Sequence, residues 1–475
     1  MLETLTTYAD KNPGYHWLTQ MKNFLLDYFR CPELISDFRS NGPVSDTPGF
    51  FRWGDDAICY GRSSTGFSAR RADVDLYDVS ADVHLQESSV VLPFDPAEVI
   101  ENLLRERYSA HFREPGSASN AAVRKVYYLL RPYLSVPLRK HLQKIRLRGW
   151  DRIRFPHWPI DTTVDRLQRR LLSSAMRAKN LDKVPFIWFW PDGFDSCAIV
   201  THDVETADGR DFSGKLMDLD ESFGFRSSFQ LVPESRYEVS DRFVSSIWNR
   251  GFEVNVHDLK HDGRLYAEQG EFLRRAQLIN QYARKFGASG FRSGVLYRNA
   301  DWYSVYDFEY DMSIPNVAHL DPQRGGCCTV MPYFIEGLVE LPVTCMQDYT
   351  LFHMLGDYSI DLWKRQIDLI TASHGLVSIL THPDYLMEAR AQNVYKQLLR
   401  HLARMREDAH MWTPLPGEVA NWWRQRSQMK LTCDEGTWRI EGQGSERARI
   451  AYACVDGDEI KYSLQPASAD LTHSC

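Results

Sequence analysis

Short apolar runs that alternate with helix-like segments constrain the fold of this chain more than any other feature. After residue 185 such runs end beside polar residues, at 197–201, 228–232, 252–256, 290–292, 338–343 and 376–380. Between them, Ser240 and Asp241 can cap a helix that stops at Gly251, and Gly287 can end the next helix. Alternating strands and helices are typical of a parallel α/β sheet. The sequence therefore predicts an α/β fold whose functional residues lie at the carboxyl ends of the strands.

The length of 475 residues predicts more than one domain, because a single core rarely serves more than about 250–300 residues. We expect an α+β region at 1–130, a basic and aromatic connector at 131–184, the α/β domain at 185–414 and a small antiparallel β module at 415–475. In the first region, apolar runs flank a Gly54-Asp55-Asp56 turn and predict a hairpin. Alternating apolar and polar residues after 429 predict the antiparallel strands of the last module.

The composition is that of a folded protein, with 43% hydrophobic residues, and the net charge of −7 does not favour nucleic acid as a partner. A basic segment at 131–170 could meet an anionic polymer or a membrane surface, although a solvated helix face is the simpler interpretation. Nine cysteines without a C-x-x-C pair argue against a disulfide framework or a zinc knuckle. No export signal and no run of ~18 apolar residues is visible. We therefore expect a cytoplasmic protein without an integral membrane segment.

Two carboxylates and two histidines have the spacing of a metal site. Asp203 and Glu205 stand at i and i+2 at the end of an apolar run, and His257 and His261 stand at i and i+4. On a helix or a tight turn the two imidazoles would lie on one side, where they can share a cation. Each pair alone has a structural explanation, since acids after a strand often cap a helix or close a turn. Together they predict a three-ligand metal site with a spare base.

Arg292 and His382 follow two other apolar runs and could complete such a site. Both fall at predicted strand ends, which in a parallel sheet meet on the same edge as Asp203 and His257. Either residue could instead be a polar group that is satisfied at a strand end. Their position relative to the first two motifs favours a shared active site.

These residues resemble the motifs of the polysaccharide deacetylase family, carbohydrate esterase family 4, whose fold is the NodB homology fold. The resemblance covers about residues 185–400 and has four elements in the family's order. The elements are Thr201-His202-Asp203-Val204-Glu205, His257 with His261, Gly290-Phe291-Arg292-Ser293-Gly294, and Leu380-Thr381-His382. The resemblance implies that the α/β domain is a distorted (β/α) barrel.

Three positions depart from the family pattern. The acids of the first motif are separated by Val204, as in the subgroup with an Asp-Val-Asp motif, and the second acid is Glu205. The arginine motif carries Ser293 and Gly294 in place of the usual proline and aromatic residue, so part of the substrate wall must differ. Glycine there leaves room for backbone or ligand to approach closely.

The resemblance implies a role for each motif residue. The implied metal ligands are Glu205, His257 and His261. The expected metal is divalent, zinc first, with cobalt, nickel or manganese as alternatives, and Asp203 is the alternative carboxylate ligand. Asp203 would otherwise act as the base that Arg292 orients, and His382 would protonate the departing amine.

Loops that follow the strands are expected to contact the substrate. The candidate substrate-binding residues are Asp311 and His319, in a long polar segment at 310–328, and Asp348, after the run 338–343. A loop that is ordered only for packing is an equally good interpretation of that segment. The family also orients its acid histidine with an aspartate, and Asp311, Asp348 and Asp384 are open candidates for that role.

The resemblance implies a metal-dependent hydrolase that removes an N-acetyl group from an amino sugar in a glycan or glycan precursor. Two alternatives stay open: hydrolysis of a non-sugar amide C–N bond on the same fold, and a catalytically silent glycan-binding or scaffold protein. Metal analysis combined with an acetate-release assay would separate them.

Overall fold

Within the described residues, the N-terminal part of the chain forms two small β-sheets and two α-helices. A computed structural model describes residues 24–35, 37–86, 88–112, 145, 147–457 and 459–465. Its first elements are α1 (Phe24–Phe29), β1 (Phe38–Ser40), β2 (Gly49–Trp53), β3 (Ala57–Gly61), β4 (His84–Gln86), β5 (Ser89–Leu92) and α2 (Pro96–Leu104). Strands β2 and β3 pair antiparallel around Gly54, whose φ is +72°. The predicted hairpin is therefore confirmed.

A long helix, α3 (Thr163–Ala178), links this part to the rest of the molecule and is followed by β6 (Lys183–Ile187). The part of the predicted connector that precedes residue 145 lies outside the described residues. Leu167 and Leu171 of α3 share a core with Phe50 of the N-terminal part. Asp165 accepts hydrogen bonds from Thr329 Oγ1 at 2.7 Å and from the backbone of the next residue. The helix therefore ties the N-terminal part to the loop near residue 330.

Parallel strands form the central sheet. The strands are β7 (Ser196–Val204), β8 (Ser228–Leu231), β9 (Glu253–His257), β10 (Gly290–Arg292), β11 (Tyr310–Asp311), β12 (Tyr333–Ile335), β13 (Leu338–Glu340), β14 (Leu376–Thr381) and β15 (Met411–Trp412). Their order is β12-β13-β11-β10-β9-β8-β7-β14, with β15 also beside β7 and β12 antiparallel at one edge. All six strands predicted from apolar runs are present.

Helices cover the outer face of this sheet. They are α4 (Ala207–Ser222), α5 (Asp241–Trp248), α6 (Gln269–Phe286), α7 (Asp361–Thr371) and α8 (Ala389–Asp408). Ser240 caps α5 by accepting a hydrogen bond from Phe243 N at 3.2 Å, and Gly287 ends α6 at φ +67°. Both predicted helix ends are confirmed. No helix within the described ranges is long and apolar enough to cross a membrane.

The two edges of the sheet approach each other without pairing as regular strands. After β13, the backbone N of Cys345 donates to Ser378 O in β14 at 3.2 Å, and Thr344 Oγ1 donates to Leu376 O at 2.7 Å. Preceding them, Val343 forms a parallel bridge with Pro315. This segment nearly closes the sheet, which confirms the predicted α/β class and the distorted barrel.

The C-terminal part begins with a helix and continues with strands. Its elements are α9 (Pro416–Gln428), β16 (Lys430–Asp434), β17 (Thr437–Glu441), β18 (Ile450–Asp456) and β19 (Glu459–Leu464). β16 and β17 form one antiparallel pair, whereas β18 pairs with both β19 and β6. The strands predicted after residue 429 are therefore present. They form two sheets, and the sheet of β18 and β19 also contains β6, which precedes the barrel. Cys433 is disulfide-bonded, which the cysteine spacing did not predict.

A buried ion pair fixes the N-terminal part to a loop of the barrel. Arg298 donates from Nε to Glu106 Oε2 at 2.6 Å and from Nη2 to Glu106 Oε1. Glu106 also accepts a hydrogen bond from Gly326 N, and Tyr108 donates from its hydroxyl to Gly326 O, both at 2.5 Å. Residues of the N-terminal part thus anchor the segment at 310–328.

Candidate active site

The carboxyl end of β7 presents an aspartate to an arginine of β10. Because side chains alternate along a strand, Thr201, Asp203 and Glu205 point to one side. Arg292 Nη1 donates to Asp203 Oδ1 and to Thr201 Oγ1, both at 2.8 Å, and Arg292 Nε donates to Met312 O at 2.9 Å. Burial by itself raises the pKa of Asp203. Arg292 and the nearby histidines lower this pKa by a larger amount, so it lies below its ordinary value. The carboxylate is therefore ionised at neutral pH.

The two predicted histidines lie on a strand end and the turn that follows it. His257 ends β9, and the turn gives Asp258 and His261 φ angles of +56° and +52°. His257 Nδ1 lies 3.1 Å from Arg292 O, and Arg236 Nη2 donates to His261 O at 2.7 Å. Both rings direct Nε2 to the same space, and their centroids are 4.9 Å apart.

Glu205 faces both of these imidazoles. Its Oε1 lies 2.9 Å from His261 Nε2 and 3.5 Å from His257 Nε2. The two Nε2 atoms are buried and make no hydrogen bond of regular geometry. Burial raises the pKa of Glu205, but His261 and His257 lower it well below its usual range. Two orphaned imidazole nitrogens and an ionised carboxylate, with ligand atoms within 4.8 Å of one another, fit a divalent cation.

His382, directly after β14, completes the cluster together with an aspartate. Its Nδ1 lies 2.7 Å from Asp348 Oδ1, and its backbone N donates to Asp348 Oδ2 at 2.8 Å. Its Nε2 points to Glu205 and lies 3.4 Å from Glu205 Oε1. Burial lowers the pKa of His382, but Asp348 and Glu205 raise it well above its ordinary value. The geometry therefore selects Asp348 among the three aspartates that the sequence left open.

The other two aspartates and His319 have different surroundings. Asp384 lies near His382, and burial raises its pKa to about 6. Asp311 accepts hydrogen bonds from Ser313 Oγ and N at 2.7 and 3.1 Å and adjoins Glu340 of the neighbouring strand. His319 is buried beside Pro156 and Asp161, and burial lowers its pKa to about 4. The structure does not bring Asp311 and His319, which were predicted to bind substrate, into the cluster.

Several residues near the site lie outside the motifs and were missed from the sequence. Leu296 and Val343 form a small buried apolar group with Leu380, which the fourth motif contains. Both come from loops whose paths depend on tertiary contacts. Tyr385, whose ring packs against His382, also lies outside the motif, although it follows His382 by only three residues.

The cluster combines a group that could hold a cation, an ionised carboxylate fixed by an arginine, and a histidine fixed by an aspartate. These are the components that hydrolysis of an unactivated carbonyl compound requires: an electrophilic centre, a base for water and an acid for the leaving group. Apart from Asp348, which follows β13, they lie at or just after the carboxyl ends of β7, β9, β10 and β14, as predicted for a barrel.

No protein-family model matches the sequence, and no curated protein is significantly similar to it. Among solved structures, a protein from Mycobacterium smegmatis described as a polysaccharide deacetylase is 16% identical, over 52% of this chain and 96% of that one, with a TM-score of 0.42. The PuuE allantoinase is 11% identical, over 50% and 92%, with a TM-score of 0.38. A Pseudomonas aeruginosa protein described as a polysaccharide deacetylase is 10% identical, over 50% and 93%, with a TM-score of 0.37.

Proposed function

We propose that this chain is a metal-dependent hydrolase of the polysaccharide deacetylase type, which removes an N-acetyl group from an amino sugar in a glycan or glycan precursor. One observation carries the proposal: three sets of side chains converge on one edge of the barrel. They are Asp203 with Arg292, Glu205 with two histidines, and His382 with Asp348. Each set supplies one of the functions that amide hydrolysis needs.

The metal ligands in this proposal are Glu205, His257 and His261. Glu205 suits this role better than Asp203, because Arg292 already binds Asp203 Oδ1, whereas Glu205 Oε1 lies 3.5 Å or less from the Nε2 atoms of both histidines. Two imidazoles and one carboxylate with an open position favour zinc, although cobalt, nickel and manganese accept the same donors. Such a cation lowers the pKa of water and polarises an amide carbonyl.

Asp203 is the base. Its Oδ2 is free to accept a proton from the attacking water, since Oδ1 is bound by Arg292. The Arg292 guanidinium keeps this carboxylate ionised and prevents it from rotating, because the same guanidinium is anchored to Thr201 and Met312. A base held in one orientation needs no reorganisation when the proton moves.

His382 is the acid. The C–N bond breaks only when the departing nitrogen receives a proton, and His382 Nε2 faces the cleft with its proton while Nδ1 is held by Asp348. Asp348, which holds Nδ1, favours the charged imidazole and raises the pKa of His382, as suits an acid. After proton transfer the products are a free amine on the sugar and acetate.

Metal content and acetate release test the proposal together. The wild-type protein and His257→Ala are loaded with zinc, dialysed and analysed for bound metal, and both are assayed for acetate release from N-acetylglucosamine oligosaccharides. We expect one zinc per wild-type chain with acetate release, and loss of both in the variant. His84→Ala, which changes an exposed histidine of β4, is the matched control and should keep both.

Three outcomes would redirect the assignment. A wild-type protein without stoichiometric metal would contradict the ligand set. Bound metal with turnover of a cyclic amide, but not of an acetylated sugar, would favour the non-sugar hydrolase. Bound metal without turnover of either substrate would favour a silent glycan-binding protein.

A further inference from the structure

Two tyrosines and a histidine form a continuous aromatic surface beside His382, which we call the tyrosine wall. The Tyr385 ring packs against the His382 imidazole, with centroids 4.9 Å apart and planes at 48°. Tyr349 packs on Tyr385 at 5.7 Å, and His353 contacts Tyr349 and Tyr385 at 5.5 and 5.0 Å. Tyr385, Tyr349 and His353 are each partly exposed. The tyrosine wall therefore reaches from the acid of the proposed reaction towards solvent.

The segments that hold His382 also hold the tyrosine wall. Asp348 Oδ1, which binds the imidazole, accepts a hydrogen bond from Tyr349 N at 2.7 Å. Tyr385 N donates to His382 O at 3.1 Å. His353 lies in a π-helical turn at Thr350–Leu355, a form of helix that is frequent at functional sites. The rings are thus fixed relative to the imidazole before a ligand binds, which lowers the entropic cost of binding.

Gly294, on the side of the cleft near the proposed metal ligands, has no side chain that could form an aromatic surface like the tyrosine wall. A Cβ atom at this position would lie 2.5 Å from Asp258 Oδ2 and 2.9 Å from His261 Cδ2. A side chain would therefore displace the histidine ring. An aromatic contact for the substrate must come from another part of the cleft, and the tyrosine wall lies beside the acid.

We propose that the tyrosine wall binds the pyranose ring of the sugar unit that loses the acetyl group. The inference rests on the proposed function: if His382 protonates the departing amine, the sugar carbon that bears the nitrogen lies about 4 Å from Nε2. That distance brings the ring next to Tyr385. A pyranose has C–H groups on its faces and hydroxyls at its rim, so it suits an aromatic ring with a polar tip. The ligand class is an acetamido pyranose rather than a cyclic or open-chain amide.

A competing explanation is that Tyr385 only positions the His382 ring. The two roles differ in their dependence on the substrate. Loss of a positioning residue slows every reaction that needs His382, whereas loss of a sugar-binding residue weakens only substrates that contain the sugar ring. The comparison of a sugar substrate with a small acetyl amide, whose departing amine also needs the proton of His382, therefore separates them.

The kinetic test uses the full zinc-loaded chain with the N-acetylglucosamine tetramer and N-ethylacetamide, an acetyl amide that has no sugar ring but releases an amine. In Tyr385→Ala and Tyr349→Ala we expect kcat/KM to fall about tenfold more for the tetramer than for the small amide, mainly through KM. Tyr385→Phe should stay within about twofold of the wild type, because the ring is kept. Phe67→Ala, which removes a 62% exposed ring of the N-terminal part, is the control and should change neither reaction. Equal losses on both substrates, or no loss on either, would overturn the proposal.

A binding test keeps the result independent of turnover. Calorimetric titration of the tetramer into Asp203→Asn should show binding that is about tenfold weaker when Tyr385→Ala is added. If the tetramer does not bind, or binds equally with and without the Tyr385 ring, the tyrosine wall is not the sugar site. Tyr385-dependent binding without acetate release from the wild type would instead overturn the proposed reaction and keep this inference.

Discussion

The buried ion pair between Glu106 and Arg298 gives the sharpest test of how the N-terminal part supports the barrel. The side chains are only 5% and 1% exposed, and two hydrogen bonds join them. Arg298 also donates to Leu296 O at 2.8 Å, next to the active-site cleft. Arg298→Met removes the cation and leaves Glu106 buried without its partner. We expect this change to destabilise the protein by about 3–5 kcal/mol, because an uncompensated buried charge must be desolvated or protonated.

Two further variants show whether the missing partner causes the loss. The double change Glu106→Leu with Arg298→Met removes both charges and should recover most of the stability, since an apolar pair of similar volume avoids the desolvation cost. Arg284→Met breaks an ion pair with Asp307 whose side chains are 62% and 69% exposed. We expect that control to change stability by less than about 1 kcal/mol.

Urea unfolding, followed by tryptophan fluorescence, measures these differences as shifts in midpoint at constant slope. Acetate release under native conditions should fall with Arg298→Met as well, because Leu296 belongs to the apolar group near the site. A destabilisation below about 1 kcal/mol, or a double variant no more stable than Arg298→Met, would refute the reasoning that this pair clamps the loop.

Three further predictions concern single positions. Asp348→Asn should lower kcat for acetate release by about 10³–10⁴-fold with unchanged zinc content, because the aspartate fixes the His382 ring and stabilises its charge; a small effect would contradict the acid assignment. Gly294→Ala should weaken zinc binding about 10–100-fold in a calorimetric titration, since its Cβ would displace His261; unchanged affinity would contradict it. Burial raises the pKa of Asp165 to about 6, above the ~3.9 of an unfolded chain, so the folded state binds this proton more tightly and loses about 2 kcal/mol of stability as pH rises from 4 to 7. Asp165→Asn should remove that part of the pH dependence of urea unfolding, and an unchanged slope would contradict the assignment.

The strands of the barrel were predictable because each is buried and reads as a continuous apolar run. β7, for example, spans Ser196–Val204 with every residue buried, and its run was recognised at 197–201. Short strands contain no continuous apolar run and were not predicted. β11 has two residues, Tyr310 and Asp311, and was interpreted as part of a polar loop. Pairing with neighbours, rather than local composition, makes that segment a strand.

The active site was predictable where one motif carries the needed residues. His257 and His261 were paired from their spacing: His257 ends β9 and His261 lies in the turn that follows, one of the two local structures that the spacing allowed. The aspartate partner of His382 could not be chosen, because Asp348 precedes it by 34 residues and only the return of the chain after β13 brings them together. Asp311 and Asp384 were equally good candidates by composition, and tertiary contacts alone separate the three.

Arg292 contacts both the proposed base and one of the proposed metal ligands. Its side chain holds Asp203, while its carbonyl oxygen lies 3.1 Å from His257 Nδ1. β9 and β10 pair in parallel with His257 opposite Arg292, so this register fixes the imidazole relative to the carboxylate. An Nδ1–H that donates to a backbone carbonyl leaves the Nε2 lone pair for a cation, as in metal sites generally. The distance between the proposed base and the ligand group is therefore set by strand pairing in the barrel core, and loop sequences can vary around it without moving the reacting groups.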